Sequence, residues 1–155
     1  MKHLISWFSE LSVADRPTVG GKGASLGELL RAGIRVPPGF VITTAGFREF
    51  LAEIDPGATI RDRIQALDAA DLAGIAATTR EIRAFIENAD MADGVNKVIA
   101  EGYRELCGEE GNKPVAVRSS ATSEDSAEAS FAGLQDTMLW LSFIRSYIPD
   151  RSGRK

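Results

Sequence analysis

Histidine and cysteine each occur once, as His3 and Cys107, and their scarcity closes off several chemistries. One cysteine permits neither an intrachain disulfide framework nor a multi-cysteine metal site, and a reducing, cytoplasmic setting fits that usage. Cys107 stands beside Gly108 at the end of an apolar-periodic stretch, where a buried or half-buried structural thiol is expected. His3 has no Ser, Cys or Asp arranged about it as a triad or metal site, so an exposed side chain is expected there. Long apolar runs are missing as well. Nowhere do about 18 apolar residues follow one another, and the first ten residues lack the apolar core of a signal peptide, so neither export nor a membrane span is expected. Positive charge is also short: 18 Lys and Arg stand against 22 Asp and Glu, a net charge of −4. Nucleic acid and anionic membranes both need a basic surface that displaces counterions, so neither is an expected partner. Any recognition of phosphate must then be local.

What is present suits one globular core: 155 residues, 44% hydrophobic and 26% charged. Val19-Gly-Gly-Lys-Gly-Ala-Ser-Leu-Gly-Glu-Leu-Leu30 predicts a glycine-rich turn opening a short helix, with Leu26, Leu29 and Leu30 on one face and Gly33 just past its end. Val36-Pro-Pro-Gly-Phe-Val-Ile-Thr43 predicts a proline-marked bend entering a strand. Thr44 is a plausible cap for a helix carrying Phe47, Phe50, Leu51 and Ile54, which Asp55-Pro-Gly57 stops. Further helices are predicted over Ile60–Leu67, Leu72–Glu87 and Val95–Leu106, with Gly108 closing the last. Val115–Arg118 and Thr137–Phe143 are the remaining strand candidates, so the fold class is α+β with a helical middle segment.

Three segments could carry chemistry. In Gly20-Gly21-Lys22-Gly23 the glycines let backbone amides approach an anion, a helix N-terminus adds partial positive charge, and Lys22 adds a full one. The spacing is not that of a Walker A loop, and an ordinary turn with a surface lysine explains the same residues. Arg118 ends an apolar run read as a buried strand, where a guanidinium needs a phosphate or carboxylate partner. An ion pair with an acid of the following loop serves equally well. Phe131-Ala-Gly133-Leu-Gln-Asp-Thr137 suits a lid with backbone freedom at Gly133 and a hydroxyl at Thr137, or a plain hairpin turn. The acidic stretch Ser123–Glu128 would repel phosphate and is expected to face solvent, so contacts there would come from backbone amides or from Ser119 and Ser120.

Taken together, VGGKGASLGELLRAGIRVPPGFVITTAGFREFL (19–51) and PVAVRSSATSEDSAEASFAGLQDTMLW (114–140) resemble the N-terminal part of the nucleotide-binding domain of the phosphoenolpyruvate synthase (pyruvate, water dikinase) family, which includes pyruvate, phosphate dikinase and the rifampicin phosphotransferases. The likeness runs through roughly residues 4–140 with both motifs in order. It implies the first half of an ATP-grasp-like domain. There, Lys22 and Arg118 contact the phosphates of ATP, and the loop of Gly133, Leu134, Gln135, Asp136 and Thr137 covers them. The full-length enzymes convert ATP, pyruvate and water to phosphoenolpyruvate, AMP and phosphate through a phosphohistidine. Mg2+ is implied for them, but its acidic ligands belong to the second half of that domain, and no metal site or complete catalytic set is expected among these residues.

The last fifteen residues, LSFIRSYIPDRSGRK, carry a net charge of +3, leaving −7 for residues 1–140. They depart from the family pattern, which divides the chain into an incomplete ATP-binding part (1–140) and a divergent basic tail (141–155) expected to pack poorly. A truncated or frameshifted reading frame is the simplest account, with an unusual natural terminus as the alternative. The expectation is an ATP-binding fragment unable to complete the reaction alone. Its rivals are a fragment of a rifampicin phosphotransferase-type enzyme and a stand-alone nucleotide-binding or interaction module.

Overall fold

A computed structural model describes residues 3–90, 93–122 and 137–141. In chain order these form strand β1 (Ile5–Trp7), helix α1 (Arg16–Arg31), strand β2 (Phe40–Ile42), helices α2 (Thr44–Ile54), α3 (Thr59–Gln65), α4 (Leu72–Asn88) and α5 (Asp93–Cys107), and strands β3 (Val115–Arg118) and β4 (Thr137–Leu141). Two antiparallel pairs, β1 with β2 and β3 with β4, make the sheets, so the chain is α+β. Among the described residues no helix is long and apolar enough to cross a membrane. The tail from residue 142 onward lies outside the described residues.

Strand β1 was not anticipated, because three residues are too few for an alternation to show. It is held by its register, Ile5 opposite Ile42 and Trp7 opposite Phe40, with the two rings edge to face at 5.4 Å. The small sheet has two working faces. Val41, with Phe8, packs on the buried cluster of Leu11, Val19 and Ala24, which α1 supplies in large part. Ile5 and Phe40 turn the other way, and with Leu4 and Phe50 they pack on Val95 and Ile99 of α5. Burial of each such aliphatic side chain contributes about 1.5–3 kcal/mol, so this central sandwich is the main source of stability. Helix α5 follows its apolar stripe closely, burying Val95, Ile99, Tyr103 and Cys107. The buried thiol and the exposed His3 are as expected.

Elsewhere the packing departs from the apolar pattern. The buried face of α1 carries Val19, Gly20, Gly21, Gly23, Ala24 and Gly27, whereas Leu29 of the expected leucine face is 39% exposed. Close approach decides this: a Cβ on Gly27 would lie 2.5 Å from the Leu11 carbonyl oxygen, so only a glycine lets backbone meet backbone there. Gly33 adopts φ 76° and ends α1, its amide donating to the Leu30 carbonyl and that of Ile34 to Leu29. The cap of α2 is Thr43, not Thr44: its Oγ1 accepts from the Gly46 amide and donates to the His3 carbonyl, tying the helix start to β1. Helix α4 buries only Ile82 of its stripe and leaves Leu72 and Phe85 exposed, since α3 is its chief neighbour.

Asp55 ends α2 and also opens α3. One carboxylate oxygen accepts from the amide and hydroxyl of Thr59, the other from the Ile60 amide. The Thr59 hydroxyl, then the Ile60 amide, hold the carboxyl below its ordinary pKa. A lowered folded value means that the contribution is complete above the unfolded pKa and lost as pH falls through the folded one. The melting-temperature difference between wild type and Asp55→Ala should therefore shrink as pH is taken from about 6 to about 3. For Gly27→Ala, overpacking of about 1–3 kcal/mol outweighs a helix-propensity gain of about 1 kcal/mol, so thermal denaturation should show a melting temperature lower by several degrees.

Candidate functional site

The glycine segment is a kink rather than a plain helix start. Gly20, at φ 77° and ψ 172°, interrupts α1 and lets the chain begin a second helical run from Gly21. That backbone conformation is open essentially to glycine alone. The segment from Ser119 onward fills the notch. The Ser120 hydroxyl donates to the Val19 carbonyl at 2.7 Å and accepts from the Gly23 amide at 3.0 Å, while the Gly21 amide donates to the Ala121 carbonyl at 3.2 Å. Ser120 thus caps the second helical run from 97 residues away in sequence. A Cβ on Gly20 would lie 2.3 Å from the Ser120 carbonyl oxygen, so the same glycine that bends the helix also admits its partner.

These bonds revise the expected anion chemistry. The Gly21 and Gly23 amides already have acceptors, and the single Ser120 proton is donated to Val19, so none of the three is left to donate to a phosphate. The charged side chains nearby include Lys22 and Arg118. Lys22 is exposed between the two bonded glycines, and Arg118 lies two residues before Ser120, so the stitch brings the backbone of both segments to one region. Arg118 also pairs in register with Thr137, which places the third expected contact on the neighbouring strand. Gly133, Leu134, Gln135 and Asp136 lie outside the described residues.

The strand bearing Arg118 is not buried. Ala116, Val117 and Arg118 are exposed, Val117 at 46%, because β3 pairs only with β4 among the described residues. A guanidinium there keeps access to water and needs no buried partner. The acids Glu124, Asp125 and Glu128, the alternative partners, fall outside the described residues. The position of β3 is set from α5: the Tyr103 hydroxyl bonds the Lys113 carbonyl at 2.6 Å and the Lys113 amide donates to Cys107 Sγ at 3.3 Å. A groove of about 470 Å³ runs along α1 past Arg16, Gly21, Ser25 and Glu28, but its lining contains neither Lys22 nor Arg118. Among the described residues no group of three or more His, Cys, Asp or Glu could hold a metal ion. The residue that sequence reasoning missed is Ser120 in its linking role, since a hydroxyl two residues after Arg118 gives no sign of a partner at Val19.

Sequence comparison identifies the family to which this arrangement of a glycine kink and a strand end belongs. A family profile described as pyruvate phosphate dikinase, AMP/ATP-binding domain, matches residues 16–149, and the chain belongs to that family. Among individual relatives, the probable phosphoenolpyruvate synthase of Archaeoglobus fulgidus is 48% identical over 136 residues, covering 87% of this chain and 18% of the relative. That of Methanocaldococcus jannaschii is 46% identical over 138 residues, covering 87% of this chain and 12% of the relative. The phosphoenolpyruvate synthase of Deinococcus radiodurans is 43% identical over 141 residues, covering 88% and 18%. The chain therefore spans less than a fifth of the length of these curated relatives.

If the kink depends on glycine, Gly20→Ala should cost about 1–3 kcal/mol for the backbone conformation alone, with the overlap on Ser120 added. The expected result is a lower melting temperature together with faster hydrogen exchange at the Gly21 and Gly23 amides. Unchanged protection at both would show that the two segments do not depend on the kink.

Proposed function

We propose that the chain is the ATP-binding N-terminal part of a phosphoenolpyruvate synthase-like phosphotransferase, within the first half of an ATP-grasp-like domain comprising residues 1–140, followed by a basic tail. The observation that carries this reading is the bonding of the Lys22 segment to the Arg118 segment through Ser120 and Ala121. Two flexible cations based about one notch suit a polyphosphate, whose charge is spread over several oxygens. Lys22 supplies a compact charge and Arg118 a planar fork that can grip two oxygens. In this reading the segment Gly133–Thr137, of which Thr137 alone is among the described residues, is the one assigned to cover the phosphates. ATP is the ligand. The whole relatives' activity, conversion of ATP, pyruvate and water to phosphoenolpyruvate, AMP and phosphate, belongs to this reading only as the reaction that such a domain would serve.

The described residues do not fit Mg2+, because they hold no cluster of three potential ligands, and no step is assigned to it. In this reading the metal-binding acids belong to the second half of the ATP-grasp-like domain, so the 155 residues by themselves hold ATP loosely and leave its hydrolysis near background. Calorimetric titration with Mg-ATP, run beside a phosphate-release assay, tests both halves. Weak binding should appear in wild type, fall by roughly tenfold or more in Lys22→Ala and Arg118→Ala, and bring no turnover. Sustained turnover abolished by both substitutions would instead make the 155 residues an enzyme in their own right.

A further inference from the structure

We infer that Ser120 is the positioning residue that makes Lys22 and Arg118 act on one anion. The inference rests on the phosphate-binding reading of those two cations and adds the element that joins them. Among the described residues three bonds connect the segments: Ser120 Oγ to the Val19 carbonyl, the Gly23 amide to Ser120 Oγ, and the Gly21 amide to the Ala121 carbonyl. Two of the three run through one hydroxyl. Lys22 is flanked by the two amides concerned, and Arg118 reaches the hydroxyl through a single intervening residue, Ser119.

The hydroxyl is suited to this part and to no direct ligand contact. Its one proton goes to Val19 and it accepts from Gly23, so it has no donor left for a phosphate oxygen. Removing it leaves a carbonyl and a helix-start amide without partners on the two sides of the Gly20 kink. The Gly21–Ala121 bond remains, but with two of the three bonds among the described residues gone the β3 end is held less firmly relative to Lys22. Two cations that move independently lose the shared geometry that makes one polyphosphate site out of two weak ones. Ser120 therefore acts through Lys22 and Arg118 and does not itself touch the ligand.

The test is an ATP titration of the 15N-labelled 155-residue chain, followed at the amides of Lys22 and Arg118. In wild type both amides should titrate with one common dissociation constant. In Ser120→Ala the two should separate, each with its own constant and the tighter of them about tenfold weaker than wild type. Ser120→Thr, which keeps the hydroxyl, should restore a common constant. A merely stabilising residue would lower the melting temperature without splitting the titration. If Ser120→Ala does not fold, Ser120→Cys, which keeps a weak donor and acceptor of similar size, takes its place, with a smaller splitting expected. A common constant retained in the variant, at any affinity, overturns the inference while leaving the ATP-binding reading intact. No response at either amide in wild type overturns both.

Discussion

One serine hydroxyl joins parts of the chain about a hundred residues apart, and the candidate site depends on it. Ser120 accepts from Gly23 and donates to Val19, completing the start of a helical run that the Gly20 kink leaves open. A helix that began with its own cap would have no need of a distant segment. Because this one is capped in trans along the chain, the glycine motif and the arginine motif become one structural unit. The arrangement engages two of the amides, those of Gly21 and Gly23, that a glycine-rich helix start usually offers to an anion.

The rest of the fold supports that junction from two sides. Helix α1 lies against Leu11 and Val41 by a face of small residues, which fixes the kink close to the β1–β2 pair. On the other face of that pair, α5 contributes Val95 and Ile99, and its C-terminal end holds the Lys113 backbone through Tyr103 and Cys107. The start of β3, and with it Arg118, is thereby referred to the same central sheet as Lys22. Stability and site geometry come from a common set of contacts. Helices α3 and α4, with Ile82 the only buried residue between them, stand apart from this frame.

Much of the local structure could be read from residue types. The bounds of β3 followed from a short apolar run ending in Arg118 between Pro114 and Ser119, and α5 from apolar residues at helical spacing closed by Gly108. The stops at Asp55-Pro-Gly57 and Gly33 followed from chemistry that works within a few residues. The errors share a different character. Thr43 rather than Thr44 caps α2, because its hydroxyl also has a partner at His3. Leu29 is exposed and Gly27 buried, because the neighbour across α1 is a backbone carbonyl. Arg118 stands on an exposed strand although its apolar neighbours suggested burial.

The sequence by itself determined the class of the chain: α+β, with two motifs within the span of a pyruvate phosphate dikinase-type AMP/ATP-binding domain. These depend on spacing, propensity and residue type, which act locally. Only the tertiary structure decided which groups remain able to meet a ligand, since that depends on which donors already have acceptors. The Gly21 and Gly23 amides and the Ser120 hydroxyl look equally available on paper, and three hydrogen bonds between segments about a hundred residues apart engage them, because each proton can be given fully to only one acceptor.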